Sequence, residues 1–390
     1  MKVQRAALVL PLVVLVSTGL GACRNSSASG SSGSVVALVP STDGNDGCNG
    51  ASQSFTPGQA FTPLTLATWS PWAMSQVAGA RVSNELFATG AGATLVAIDV
   101  SGAPVETELI SAGTVDALVD PGAFGPPAEL SGLCVLDADN LLVMEHSHNV
   151  VLLVSRSVPD SVSLFAGLPL TVPGLADGPA SLSRFNFAEA AQIVATGDGR
   201  VLIADSGNHV IRQIRDGFVS TLAGTGAPFF ADGDLTSSLF DTPSGLSIDC
   251  AGRLLITELG AMGAGGNRLR ELALGQESFF GIQGTVSTLA GDGTQLTVEG
   301  AENLASLAAP MGLVTSTDGE AYFVDSATGV LRRFDPMSGN VDCPLWVDCN
   351  AAVTGGGRFT NGGVLSLVST DAGILYALDA SAGTLVRVTP

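Results

Sequence analysis

The hydrophobic positions of this chain form many short runs separated by turn residues. The clearest example, residues 201–224, reads VLIADSGNHVIRQIRDGFVSTLAG: apolar strands flank a polar turn, and a further short strand ends in small residues. Weaker copies of this pattern recur along most of the chain. Short apolar runs bounded by Gly, Asn, Asp and Ser are typical of β-strands joined by tight turns. The pattern therefore predicts an all-β repeat protein.

Two strand endings alternate along the chain, six of each. One kind of strand ends in a carboxylate, and these acids span 280 residues in five steps, a mean period of 56, at Asp99, Glu145, Asp205, Glu258, Asp325 and Asp379. The other kind closes in small residues, at Gly79, Gly113, Gly167, Gly224, Gly291 and Gly355. A repeat of this length that holds about four short strands matches one blade of a β-propeller.

Six copies predict a six-bladed β-propeller over residues 61–390. The last copy ends with Thr384–Val388 and lacks an outer strand of its own, whereas an outer-strand ending at Ser75–Gly79 precedes the first acid-ending strand. An N-terminal strand that completes the last blade would cover an otherwise open sheet edge. We therefore expect the ring to be closed in this way.

The residues DSGNHVIR at 205–212 resemble the signature of NHL repeats, which form six-bladed β-propellers. The lead-ins Asp177-Gly178 and Asp232-Gly233 are similar to the segments that precede that signature. The resemblance implies the propeller fold. Some NHL propellers are zinc-dependent lyases that use histidines lining the central channel, but the three histidines of this chain do not recur at matching positions in several blades. A metal-dependent lyase or hydrolase at the channel is therefore the alternative function.

The strand-end acids in the third, fourth and fifth copies are followed by an arginine in the next strand. A carboxylate and a guanidinium in this arrangement can form a bidentate pair that fixes the turn between them. Because the arrangement recurs from copy to copy, we interpret it as structural rather than catalytic. The predicted pairs are Asp205–Arg212, Glu258–Arg270 and Asp325–Arg332.

Two histidines stand where the second copy has its turn, in the sequence Glu145-His146-Ser147-His148-Asn149. Two histidines two positions apart on a strand share one face and can bind a metal together, a geometry that is lost at a turn. His146 and His148 are thus weak metal-ligand candidates, and exposed turn residues are the alternative. No catalytic motif and no cofactor motif is present, so we expect no cofactor.

The N-terminus has the layout of a secretory signal peptide. Lys2 and Arg5 precede an apolar run that is too short to span a membrane comfortably, and residues 20–23, LGAC, follow it. This tetrad resembles the lipobox of bacterial lipoproteins, which implies removal of residues 1–22 and acylation of Cys23. Residues 23–60 then form a Ser- and Gly-rich tether. Arg24, where aspartate often marks inner-membrane retention, favours an outer-membrane or cell-surface location.

The charge of the chain excludes some partners. With 16 basic against 36 acidic residues the formal net charge is −20, and Lys2 is the sole lysine. Such a surface repels nucleic acid and anionic lipid headgroups, so we expect no nucleic-acid partner. The contact with the membrane is expected to come from the lipid anchor alone.

Five cysteines besides Cys23 would meet an oxidising compartment in an exported chain, where disulfides are expected. Cys343 and Cys349 enclose a short loop that closes readily, so we predict a bridge between them. The pairing of the other three cysteines, Cys48, Cys134 and Cys250, stays open.

Three insertions lengthen the connections between strands, at Leu168–Leu182, Leu259–Gly266 and Thr294–Ala308. If they emerge on one face of the propeller, they form a recognition surface, because rigid scaffolds commonly carry their binding residues on loops. The leading hypothesis is a membrane-anchored binding or scaffold protein of the cell envelope that recognises a protein, peptide or glycan on one propeller face. A cluster of histidines and carboxylates at the central channel would favour the enzyme instead.

Overall fold

Six small antiparallel sheets are arranged around a common axis as the blades of a β-propeller, which confirms the predicted fold class. In this computed structural model the described residues are 61–64, 77–79, 85–99, 101, 105–122, 125–169, 172–188, 191–249, 251–260, 265–278, 281–301, 304–316, 319–344, 364–369, 375–379 and 384–388. We letter the strands of each blade a to d from the axis to the rim, because the innermost strands contact those of neighbouring blades.

The first two blades each have four strands in chain order. Their strands are Val77–Gly79, Glu85–Gly90, Thr94–Asp99 and Val105–Ile110 in blade 1, and Leu130–Val135, Asn140–Glu145, Val150–Ser155 and Val162–Ala166 in blade 2. The connection between these blades contains a six-residue α-helix, Thr114–Val119, that buries Val115 and Val119.

Blades 3, 4 and 5 add a short fifth strand at the rim, which comes from the connection that precedes each blade. Their strands, with the rim strand last, are Ile193–Ala195, Val201–Asp205, Val210–Arg215, Phe218–Ala223 and Gly178–Pro179; Pro243–Ile248, Leu254–Glu258, Arg268–Ser278, Gly281–Ala290 and Gly233–Asp234; and Pro310–Thr315, Ala321–Asp325, Val330–Asp335, Asn340–Asp342 and Gly300–Ala301.

Turn chemistry accounts for the hairpin between strands c and d of blade 3. Asp216 and Gly217 form its two-residue loop with φ values of 51° and 76°. Positive φ at both central positions characterises the type I′ turn, whose twist matches that of the strands and which favours the Asp-Gly sequence found here.

Blade 6 is closed by an N-terminal strand, as predicted, but by a different segment from the one that carries the sequence mark. Phe61–Leu64 pairs antiparallel with strand c, Thr384–Val388, whereas strands a and b are Val364–Ser369 and Leu375–Asp379. The segment that ends at Gly79 is instead strand a of blade 1. A three-residue apolar strand that ends in glycine can be an inner strand at the axis or an outer strand at the rim. The sequence pattern at Ser75–Gly79 therefore could not tell these two positions apart.

The hydrophobic core lies between consecutive blades rather than inside any one of them. One cluster joins blades 1 and 2 through residues such as Phe87 and Leu141, and the next joins blades 2 and 3 through Met144 and Ile203. Further clusters join blades 3 to 4, 4 to 5 and 5 to 6. Because each flat blade buries its faces only against its neighbours, the blades depend on one another for stability.

Antiparallel strands give the ring two distinct faces. The b–c turns and the connections from strand d to strand a of the next blade leave on one face, the connection face, whose long connections are 111–129, 167–192, 224–242 and 291–309. The a–b and c–d turns leave on the opposite face, the turn face. Within the described part of the chain, no helix is long and apolar enough to cross a membrane.

Candidate functional site

Three strand-end acids lie on the connection-face side of blades 3, 4 and 5, each fully buried beside an arginine of strand c. The predicted pairs are therefore in contact. The carboxylate and guanidinium atoms lie 2.9 Å apart in Asp205–Arg212, 3.0 Å in Glu258–Arg270 and 3.2 Å in Asp325–Arg332.

The bidentate geometry that we predicted is wrong, because each arginine gives only one nitrogen to the strand-end acid. In blade 3, Nη2 of Arg212 turns to Oδ1 of Asp177 at 2.6 Å and also donates to the carbonyl oxygen of Ala176 at 2.9 Å. In blade 4, Nη2 of Arg270 contacts Asp232 at 2.8 Å in the same way. The arginine thus joins the connection to the two central strands. In the sequence, this role of the aspartates could have been recognised from the Asp-Gly pairs Asp177-Gly178 and Asp232-Gly233, which precede the two blades.

Burial sets the protonation of these acids. It raises the pKa of Glu258 to about 7 and that of Asp325 to about 6, against the opposing charges of Arg270 and Arg332. Burial also raises the pKa of Asp205. Oε2 of Glu258 is buried and accepts no hydrogen bond from the described residues, which favours a proton on this carboxyl group. These fully buried acids hold the fold.

Blade 2 keeps the strand-end acid but not the arginine, whose place is held by Leu152. The carboxylate of Glu145 is buried and accepts three backbone N–H bonds, from Glu129 and Ser147 at 2.9 Å each and from His148 at 2.7 Å. Nδ1 of His148 lies 3.3 Å from Oε2 of Glu145. Backbone donors therefore take the place of the guanidinium in this blade, and the ring of His148 lies beside the carboxylate without a hydrogen bond from either ring nitrogen.

His146 and His148 each lie beside a different carboxylate, so their rings do not converge on a common metal position. Nε2 of His146 lies 3.0 Å from Oε2 of Glu129, which comes from the preceding connection. His148 is 2% exposed, so the alternative of an exposed turn residue is wrong for it. Among the described residues no group of three or more His, Cys, Asp or Glu side chains is placed to bind a metal ion.

The prediction that Asp99 is the strand-end acid of blade 1, equivalent to Asp205 in blade 3, is wrong. Asp99 ends strand c and is exposed, whereas strand b ends at Gly90. Its carboxylate accepts a hydrogen bond from the backbone N–H of Ser101 at 2.8 Å, which lowers its pKa. The repeat of carboxylates at the end of strand b therefore begins with blade 2.

Small and uncharged residues bring the inner strands of neighbouring blades into close contact. A Cβ atom added at Gly132 would clash with the backbone of Ala191 in the segment that leads into blade 3, and one added at Gly312 would press on Leu367 of blade 6. Oγ of Ser247 lies 2.9 Å from Oγ1 of Thr315 between blades 4 and 5. The described inner strands thus carry glycine, serine, threonine and apolar residues, and none of their residues is His, Asp or Glu.

The three predicted insertions belong to the connection face, because two lie in connections between strand d and strand a and the third is the b–c turn of blade 4. Phe229 and Leu296, which are 56% and 58% exposed, stand at the same place in successive connections. Each follows a parallel bridge to the returning part of its connection, Pro228–Phe240 and Gln295–Leu307. Other large exposed apolar side chains on these connections are Leu168, Val172, Leu175, Leu182, Val298 and Leu304.

The predicted lipid-attachment residue Cys23, the signal peptide 1–22 and the whole of the tether 23–60 lie outside the described residues. Cys343 is in a disulfide bond, but Cys349 also lies outside the described residues, so their pairing stays a prediction. Cys134 is a free thiol buried in blade 2, and burial raises its pKa to about 12, so it is an unreactive core residue.

Solved structures share this fold at low sequence identity. A protein of unknown function from Bacteroides thetaiotaomicron is 14% identical, with a TM-score of 0.54 over 91% of this chain and 75% of that one. An auxiliary nutrient-binding protein from the same organism is 12% identical, with a TM-score of 0.52 over 78% of this chain and 65% of that one. A gluconolactonase from Xanthomonas campestris is 15% identical, with a TM-score of 0.52 over 92% and 99%.

No protein-family profile matches the chain, and no curated protein matches it. The structural likenesses therefore show the six-bladed propeller fold and nothing finer, since folds of this kind carry unrelated functions.

Proposed function

We propose that this chain is a membrane-tethered binding protein of the bacterial cell envelope that recognises a protein, peptide or glycan through its connection face. The observation that supports this most directly is the repeated exposure of Phe229 and Leu296 at matching places on that face. Exposed apolar side chains grouped on one surface favour an interaction site, because they gain free energy when a partner removes them from water.

The framework beneath this face is suited to hold a binding surface in a fixed shape. Arg212 and Arg270 each join a connection to two strands of its blade, so the bases of the long connections are pinned to the sheets. The strand Phe61–Leu64 closes the ring. A surface that is ordered before binding loses less conformational entropy when it binds.

The fold alone does not choose between binding and catalysis, because a nutrient-binding protein and a gluconolactonase both share it. The residues of this chain favour binding. Glycine, serine and apolar residues bring the inner strands together at the axis, and His146 and His148 sit in the b–c turn of blade 2, on separate carboxylates. A channel enzyme of the lyase type needs histidines that converge on the axis.

The tether and the repeat family belong to the same proposal. Acylation of Cys23 would fix the chain to the membrane, and about 40 Ser- and Gly-rich residues would let the propeller turn its face towards a partner. The motif at 205–212 supports membership of the NHL-repeat class. We expect Cys23→Ser to release the chain from membranes into the soluble fraction after cell lysis; retention of the variant in the membrane fraction would contradict the lipid anchor.

Site-specific photo-crosslinking of the full-length chain in its native envelope tests the recognition face. A photoreactive phenylalanine analogue is placed at Phe229 or at Leu304 on the connection face, and at Met337 on the turn face as the matched control. All three side chains are more than half exposed. We expect discrete adducts from the first two positions only. Adducts confined to Met337, or no adduct at any position, would refute the proposal.

Metal analysis separates the two functional hypotheses. The protein is purified without chelator and without a histidine tag, and its transition-metal content is measured. One equivalent of zinc or a similar metal that is lost in His146→Ala or His148→Ala would favour the channel enzyme. We expect no such stoichiometric metal.

A further inference from the structure

Exposed carboxylates occur on both faces of the ring, and most of those of the connection face lie on the same connections as its exposed apolar side chains. The long connections of the connection face carry six exposed carboxylates, at Glu129, Asp177, Asp232, Asp234, Asp292 and Glu299. No exposed arginine accompanies them on the described parts of these connections. Arg184 is half-buried, and its Nη2 donates to the carbonyl oxygens of Val172 and Pro173 at 2.8 and 3.0 Å.

The arginines beneath this face balance only some of its carboxylates. Arg270 contacts Asp232, and the charge of Arg268 acts on Asp232 and Asp292. Arg212 contacts both Asp177 and Asp205, so one positive charge serves two carboxyl groups. Asp234 has no cation among its described contacts, and Glu299 accepts a hydrogen bond from the backbone N–H of Cys343 at 3.3 Å. A negative potential therefore extends over the apolar side chains of the same connections.

On the turn face several partly exposed arginines pair with nearby acids, while Asp99 and Asp139 are exposed without an arginine among the described contacts of their carboxylates. Arg253 contacts Asp249 at 2.6 Å and Glu271 at 2.7 Å. Arg333 contacts Glu320 at 3.1 Å and Asp342 at 2.7 Å. Among the described residues, the partly exposed arginines with acidic partners thus belong to the turn face and its strand ends.

We propose that the occupant of the connection face is a cationic polypeptide segment that presents Lys or Arg next to apolar side chains. This inference rests on the proposed function and narrows its partner class. Phe229 and Leu296 supply the apolar contacts, and Asp234 and Glu299 supply negative charge on the same two connections. A neutral glycan could cover the apolar side chains but would not neutralise the negative charge of these connections. An acidic segment would be repelled by that charge.

Selection from a random 12-residue peptide library displayed on phage tests the inference with the full-length chain as the target. We expect enriched peptides that combine net positive charge with aromatic or aliphatic residues. Their affinity should fall about tenfold or more for Phe229→Ser/Leu296→Ser and several-fold for Asp234→Asn/Glu299→Gln. It should also fall as salt rises from about 0.05 to about 0.5 M.

The matched controls are variants of the turn face with the same changes in polarity and charge. Val158→Ser/Met337→Ser removes two exposed apolar side chains, and Asp139→Asn/Asp216→Asn removes two exposed acids. Neither should change the affinity for the enriched peptides. Circular dichroism and thermal unfolding of every variant show that a loss of binding is not a loss of fold.

The other outcomes overturn the inference in distinguishable ways. Enriched peptides that are neutral or acidic but still lose binding in Phe229→Ser/Leu296→Ser refute the cationic partner and leave the recognition face in place. Peptides that respond only to the turn-face variants refute both. A library that yields no enriched peptide refutes a polypeptide segment as the occupant, and the crosslinking experiment then judges the proposed function by itself.

Discussion

Arg212 lies 2.6 Å from Asp177, a carboxylate 35 residues earlier in the chain, while it also contacts Asp205 at the end of the neighbouring strand. One buried cation therefore ties the connection between blades 2 and 3 to the two central strands of blade 3. The carbonyl oxygens of Ala176 and Arg184 accept further hydrogen bonds from the same guanidinium.

Removing this cation should destabilise the propeller strongly. Arg212→Met leaves the fully buried Asp205 without its counter-charge, and breaking a buried pair by removing one partner costs about 3–5 kcal/mol. Asp177 is about half exposed, so Asp177→Asn should cost about 1 kcal/mol or less. Urea unfolding of both variants measures the difference. Equal losses for the two variants would contradict the bridging role of Arg212.

Stability should fall with rising pH because of Glu258. Burial raises its folded pKa from 4.5 to about 7, so between these pH values the folded chain keeps a proton that the unfolded chain loses. The free energy of unfolding must then decrease as pH rises through this window. Asp325, with its pKa raised to about 6, acts in the same direction.

Glu258→Gln should reduce that slope, since the amide does not titrate. Unfolding in urea at several pH values between about 4.5 and 7.5 gives the slope for both proteins. Glu299→Gln, at an exposed glutamate, serves as the control and should leave the slope unchanged. An identical slope for the wild type and Glu258→Gln would show that this carboxyl group does not take up the proton.

A single methyl group at Gly132 should loosen the contact between blades 2 and 3. The new Cβ would clash with the backbone of Ala191, which cannot rotate away, so a loss of about 3 kcal/mol is expected. Gly199→Ala is the control: its Cβ meets no atom within 4 Å, and only the positive φ of 83° opposes it, at about 1 kcal/mol. Thermal unfolding distinguishes the two costs.

The acid of blade 2 should matter although it has no arginine. Glu145→Ala would leave three backbone N–H groups without their acceptor, which predicts a loss of at least about 3 kcal/mol. His146→Ala removes only a contact with the exposed carboxylate of Glu129 and should cost less than about 1 kcal/mol. Equilibrium unfolding in urea compares them, and a neutral Glu145→Ala would mean that water replaces the carboxylate.

The six-bladed fold could be predicted because its information is local and repeated. The strand VLIAD, the turn and Arg212 all lie within 12 residues, so the sequence alone shows which acid meets which base. Asp177 was missed as a partner of Arg212 because the two residues are 35 positions apart in the chain, and only the folded blade brings them together.

Two predictions, the assignment of Asp99 and the exposure of His148, were wrong because the local sequence around each residue fits more than one structure. Asp99 ends an apolar strand as the other acids do, yet it belongs to strand c, because the b–c turn of blade 1 comes earlier, at Ala91–Ala93. His148 was weighed as an exposed residue because histidine in a polar turn usually is; packing between the turn and its neighbours buries it here.

The closing strand has a consequence for the order in which the chain can fold. Phe61 pairs with Val388, so the sheet of blade 6 combines the first described strand of the propeller with the last one. During synthesis the early strand stays unpaired until the final strand is available, with its backbone donors and acceptors free to pair with other chains. We therefore expect chains truncated before Thr384 to aggregate, because their early strand has no partner.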